Sequence, residues 1–226
     1  MSDFDWHYGA TGQRDWTRAP AAWKIDTDLS SQDRTVFYHE GTGRAVVSFR
    51  ATDWRNKGDL DADAHIAFGL EILSKRFKES EAITRLAMTK YGAGNVEAAG
   101  HSLGGTQALY VNGKLGIRAT AFNPGFGPEQ LARSRADSLH HHLFGGAPPG
   151  GNNMTVYQSG PNDLISTMAR KGKGFKLIDV PQTIRAKEGQ GMVAGIRAAH
   201  SLDNFLPSGK TYQDRAKRDP LGWKAN

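Results

Sequence analysis

The chain has 226 residues, of which 38% are hydrophobic and 23% charged, with 27 glycines, nine prolines and no cysteine. That is the composition of a folded globule, and it excludes a disulfide scaffold, a thiolate metal site and a cysteine nucleophile. The formal charge of +6 is unevenly placed, since residues 164–226 hold 12 Lys/Arg against five Asp/Glu and so carry +7, leaving −1 for residues 1–163.

The N-terminal stretch MSDFDWHYGATGQRDW carries acids where a secretory leader needs a basic start and an apolar core, and no window approaches 18 apolar residues. Neither a signal peptide nor a transmembrane segment is expected. A cytoplasmic location, leaderless export or packaging in a virion all fit. Trp6, Trp16 and Trp23, interleaved with Arg14, Arg18 and Lys24, read as aromatic anchors over a core rather than as an interfacial belt.

Short β-branched or apolar runs predict strands at Thr35–His39 and Arg44–Phe49. Residues 64–91 follow, where Ile66, Leu70 and Leu73, then Ile83, Leu86, Ala87 and Lys90/Tyr91, recur at helical spacing, predicting one bent helix or two. A strand at Val96–Ala99 precedes a helix beginning at Leu103, with small residues first and an apolar face behind them. Further strands are expected at Ile117–Phe122, Met154–Tyr157 and Lys176–Val180. Residues 126–153 read as a short helix and an irregular Gly/Pro/Asn-rich loop, and residues 207–226 as a basic, extended C-terminal tail. No internal repeat is present. The alternation of six strands with helices predicts the α/β class, with a mostly parallel sheet carrying helices on both faces in a single domain.

The sharpest local signal is Gly100-His101-Ser102-Leu103-Gly104-Gly105, set between an expected strand and an expected helix. In a Gly-x-Ser-x-Gly elbow the serine takes a strained backbone that only small neighbours tolerate, which lifts its hydroxyl above the sheet edge. The following helix aims its first N–H groups, notably that of Leu103, at the oxygen that turns negative during acyl transfer. The bare pattern is weak, since this composition yields roughly 0.2 matches per chain by chance, so the strand and helix around it carry the inference. The order for such sites is Ser, acid, His. Of eight histidines only His140, His141, His142 and His200 follow Ser102, and only His200 leaves room for a strand and an acid-bearing loop between. Asp163, beyond the end of the Met154 strand, is the expected acid; Asp179 is its rival and Asp137 a weaker one.

These blocks resemble those of the class 3 (fungal-type) lipases of the α/β-hydrolase superfamily. Ala45-Val46-Val47-Ser48-Phe49-Arg50-Ala51-Thr52-Asp53-Trp54 with Asp59-Leu60 looks like the family's oxyanion block, and His65-Ile66-Ala67-Phe68 echoes the motif that follows it. Gly-His-Ser-Leu-Gly-Gly at 100–105 is its serine block as it stands; Asn162-Asp163-Leu164-Ile165 and His200-Ser201-Leu202-Asp203-Asn204-Phe205 are similar to its acid and histidine blocks. The resemblance spans about residues 35–206. It implies an α/β-hydrolase domain over residues 1–206, the triad Ser102, Asp163 and His200, and Thr52 as second oxyanion donor beside Leu103. The implied activity is hydrolysis of lipid or phospholipid esters, without a cofactor. Ala51 stands where the family has Gly, and the short, charged Asp53–Asp63 stretch replaces a greasy lid, which points toward an open-site esterase.

The basic C-terminal surplus favours contact with an anionic membrane surface, or else forms a solvated face; nucleic-acid binding is not expected, since no recognised motif accompanies the charge. His140-His141-His142 is not expected to hold a metal, because adjacent side chains diverge. His101 reads as packing or hydrogen bonding beside the site, and Arg50 as an internal ion pair. The alternative to an enzyme is a catalytically weak or inactive binding or structural protein on the same scaffold, such as a particle or secreted-effector component.

Overall fold

The computed structural model describes residues 22–31, 33–51, 65–125, 153–159, 176–180, 182 and 198–205. Seven strands, β1 (Lys24–Ser31), β2 (Arg34–Tyr38), β3 (Ala45–Phe49), β4 (Val96–His101), β5 (Arg118–Phe122), β6 (Met154–Ser159) and β7 (Lys176–Val180), form one sheet in chain order. The β1–β2 and β2–β3 pairs are antiparallel, and every pair from β3 to β7 is parallel. Two helices, α1 (His65–Tyr91) and α2 (Leu103–Leu115), make the β3–β4 and β4–β5 crossovers. This is a mostly parallel α/β sheet, as expected.

Several details differ from the sequence expectation. The polar strand β1 was not expected: its register slips between Asp26 and Ser31, and Ser30 Oγ accepts the Val36 N–H at 2.9 Å, so side-chain chemistry replaces hydrophobic alternation. Residues 65–91 form one continuous helix. Its buried stripe is Ser80, Ile83, Thr84 and Ala87, while Leu86 is exposed. Both described helices pack on the same face of the sheet and against each other. Successive right-handed crossovers that advance the sheet in one direction place their helices on one side.

On that face Val36, Val47, Phe49, Ala98, Ala121, Met154 and Val156 meet Ile83, Leu109 and Val111 in a continuous core. Each large side chain buried there contributes about 1.5–3 kcal/mol. Phe37, Val46 and Ser48 point to the opposite face and are buried too, so water is excluded from both sides of the sheet. Between the helices Gln107 Nε2 donates to Ser80 Oγ at 2.8 Å, and within α1 Thr84 Oγ1 donates to Ser80 O at 2.6 Å, so these donors find partners in a buried seam. Among the described residues no helix is long and apolar enough to cross a membrane.

The outer strand β1 is fastened to α1 through Asp26. Its carboxylate accepts from the Tyr91 hydroxyl at 2.6 Å, pairs with Lys90 at 2.8 Å, and takes the Asp28 and Leu29 N–H groups on its other oxygen. Burial works to raise the Asp26 pKa, but the hydrogen bonds from Lys90 and Tyr91 and the Lys90 charge outweigh it and hold the carboxyl below its ordinary 3.8. The same contact and its burial push the Tyr91 hydroxyl up. A carboxylate depressed in the native state adds stability that is present above its unfolded pKa and is lost as the pH falls through the native one. Asp26→Asn should therefore cost about 1–3 kcal/mol at neutral pH. In urea titrations the gap to the parent should narrow as the pH falls below 3.8; a gap independent of pH would assign the loss to packing.

Candidate active site

β4 ends at His101 and α2 begins at Leu103, which leaves Ser102 to reverse the chain at φ 55°, ψ −122°. For a residue with a side chain such a backbone costs about 1–3 kcal/mol and persists only where its surroundings impose it. The surroundings here are backbone. A Cβ built on Gly100 would lie 2.7 Å from the Gly105 nitrogen and closer still to the Gly104 carbonyl, and one on Gly104 would lie 2.7 Å from the Phe49 carbonyl carbon. Strand and helix thus touch through glycine. The turn is also tied at both ends: the Ser102 N–H donates to Phe122 O at 3.0 Å, and Ser102 O accepts the Thr106 N–H at 3.0 Å.

Opposite this turn stands His200, with Nε2 at 2.8 Å from Ser102 Oγ and both residues buried. A neutral imidazole whose other nitrogen carries the hydrogen accepts the serine proton at that distance. The segment that carries His200 is held by polar side chains. Asn123 Nδ2 donates to Ser159 Oγ at 2.9 Å and to Ala199 O at 3.3 Å, and Asn123 Oδ1 accepts the Ser159 N–H at 2.8 Å. Ser159 Oγ donates to Ala199 O. Asn204 Nδ2 lies 2.9 Å from Ala198 O, 3.0 Å from Ala199 O and 3.1 Å from Ser201 O. His101 Nε2 lies 2.8 Å from His200 O. Phe205 packs edge-on against Phe122, which stacks on Tyr157.

Of the residues singled out from sequence, Ser102, Leu103 and His200 come together. Leu103 opens α2, so its N–H belongs to the first turn, where donors lack an intrahelical acceptor. Asp163 and Thr52 lie outside the described residues, as do Asp137 and His140-His141-His142. Asp179 is exposed on β7 opposite Gln158. Residues paired across strands share a face. Gln158 and Asp179 therefore share the Met154–Val156 face of the sheet, opposite to Ser159. Arg50 forms the expected internal ion pair, 3.4 Å from Asp33, which also binds Arg76.

Ala51 is not among the described non-glycine residues with positive φ, so alanine brings no left-handed strain to that position. The crowding of Gly104 against Phe49 and Arg50 sets the chain leaving β3 beside the N-terminus of α2. Among the described residues no three His, Asp or Glu side chains converge as a metal site. Sequence spacing did not single out Asn123, Ser159 or Asn204. One local signal for Asn123 exists, an Asn followed by Pro just after a strand, the residue type that best tolerates the left-handed φ of 41° it adopts.

No family model matches the chain, and no curated protein matches it.

Gly104→Ala should force α2 away from β3, because the atoms it meets are backbone and cannot rotate aside. The expected loss is at least about 1–3 kcal/mol, with a larger fall in Ser102 reactivity than in secondary structure. Thermal unfolding followed by circular dichroism, together with the rate of labelling by a fluorophosphonate, measures both.

Proposed function

We propose that the protein is a serine carboxylic-ester hydrolase of the α/β-hydrolase type, acting on lipid or phospholipid esters as the class 3 lipases do. The observation that carries the reading is the 2.8 Å approach of His200 Nε2 to the hydroxyl of a serine held at positive φ between a parallel strand and a helix. The antiparallel β1–β2–β3 entry into a parallel sheet, with the serine after the central strand β4, supports the hydrolase-type architecture.

In the proposed reaction His200 takes the Ser102 proton as Oγ attacks the ester carbonyl, and the electron pair of the C=O bond moves onto its oxygen. The N–H groups of Leu103 and Thr52 hold that oxyanion. Its collapse expels the alcohol, which leaves with the proton from His200, and a water activated by the same imidazole releases the acyl group from Ser102. Asp163 is assigned the Nδ1–H of His200, fixing the tautomer that presents a bare Nε2 to the serine. The C-terminal excess of positive charge is assigned to the headgroup region of an anionic membrane.

Ser102→Ala and His200→Ala should each lower the hydrolysis of p-nitrophenyl esters by at least about 10³-fold with folding intact. A fluorophosphonate should form an adduct in the parent and none in Ser102→Ala. A parent that takes up no probe and turns over no ester across triglyceride, phospholipid, lysophospholipid and short-chain substrates would instead favour a binding protein on this scaffold. In flotation assays at low salt the protein should prefer anionic phospholipid vesicles to neutral ones, and equal binding would remove the phospholipid preference.

A further inference from the structure

We propose that His101 is a positioning residue: its ring fixes the base His200 relative to Ser102 by holding the backbone carbonyl of His200. The proposal rests on the hydrolase reading and adds to it a residue for which that chemistry has no other use.

His101 is the last residue of β4 and faces away from α2, on the side where Phe122 and Tyr157 line the sheet. Its Nε2 lies 2.8 Å from His200 O, and both residues are buried. A carbonyl oxygen only accepts, so the ring must carry hydrogen on Nε2, and the contact fixes the tautomer of His101 as well as its rotamer. The His101 and His200 rings stand 5.1 Å apart.

The carbonyls on either side of His200 are held from elsewhere. Those of Ala198, Ala199 and Ser201 go to Asn204, Asn123 and Ser159, which tie the segment to the ends of β5 and β6 and to itself. Those bonds fix the base relative to strands that do not carry the serine. His101 closes the remaining gap. A peptide bond joins it to Ser102, an N–H···O=C bond joins it to His200, and the imidazole–hydroxyl contact joins His200 back to Ser102. In this three-membered circuit the base is referenced to the nucleophile's own turn, so small shifts of β5 or β6 against β4 move both reacting groups together. A displacement of about 1 Å between reacting groups costs on the order of 10²-fold in rate, which is what the circuit guards against.

Two substitutions separate the hydrogen bond from the bulk of the ring. Gln places an amide N–H the same number of bonds from Cα as Nε2, whereas Phe keeps a ring and removes the donor. His101→Phe should lower kcat on a short-chain p-nitrophenyl ester by about 10- to 100-fold, with KM within about twofold. The rate of fluorophosphonate labelling of Ser102 should fall in parallel. His101→Gln should recover most of kcat. If His101→Phe matches the parent, or if a folded His101→Gln is as slow as His101→Phe, the proposal is overturned while the hydrolase reading stands. A parent that neither labels nor hydrolyses sinks the hydrolase reading itself and this proposal with it. A further measurement needs no variant: ¹⁵N shifts of the His101 ring in the intact protein should report hydrogen on Nε2, and a ring with a bare Nε2 would overturn the proposal.

Discussion

Everything at the serine turn follows from how closely the α2 backbone approaches β3 and β4. Gly100 and Gly104 meet without side chains between them, and the helix begins as soon as the strand ends. Only one residue is left to reverse the chain, and no allowed right-handed or extended conformation does so in one step. Ser102 therefore sits at φ 55°. The cost is small beside the burial it permits, since α2 presents Gly105, Ala108, Leu109 and Val111 to a sheet face already lined by Val47, Ala98 and Ala121. The sheet and helix core over-determine the turn, and the turn has no freedom to relax.

A second strained backbone stands beside the first. Asn123, just past the end of β5, is at φ 41° and fully buried, so two of the three described non-glycine residues with positive φ lie at neighbouring strand ends. Parallel strands carry their C-terminal ends to one rim, which is where loops can bring groups from distant parts of the chain together. At Asn123 the reversed backbone lets one side chain bridge β6 and the His200 segment, with its amide donating to Ser159 and Ala199 and its carbonyl accepting from the Ser159 N–H. A buried amide left unpaired would cost about 1–3 kcal/mol, so a network in which these groups find partners specifies the segment's placement more sharply than apolar packing would.

How much of this could be read from sequence depended on whether a position announces its role by its own chemistry. Gly100-His101-Ser102-Leu103-Gly104 does, because the steric demand of the elbow falls on the residues that spell it. His200 followed by elimination, and the buried apolar strands by their composition. The polar strand β1 could not be read this way, since a bulged edge held by Asp26, Ser30 and Tyr91 has no alternation to detect. Helix α1 misled in a related way: Ser80 and Thr84 occupy its buried stripe by donating to the carbonyls one turn earlier, Arg76 O and Ser80 O, with Gln107 bonded to Ser80, while apolar Leu86 faces water. Ser159 and Asn204 have ordinary surroundings in sequence, and the Asn123 role, beyond its Asn-Pro signal, appears only when partners 36 and 76 positions further along the chain are folded against it. Asp163, expected from its place beyond the Met154 strand, and Thr52, which the resemblance supplied, lie outside the described residues.

The arrangement also has a direction across the sheet. β3 leaves the rim beside the N-terminus of α2, at Phe49 and Arg50, with Arg50 anchored by Asp33 and by the bond from its N–H to Asp33 O. β4 supplies Ser102, and β5 and β6 supply the groups that hold His200. In the proposed reaction, donors for the developing negative charge would belong on the β3 side of the serine and the proton acceptor on the β5–β6 side, with the two supports built from separate strands. An ester carbonyl reaching Ser102 in the proposed reaction would have to turn its oxygen toward β3 and its leaving group toward β6. On that proposal the face of attack would be set by strand order before any pocket residue selects the acyl chain, and loops that choose between substrates could vary without disturbing it.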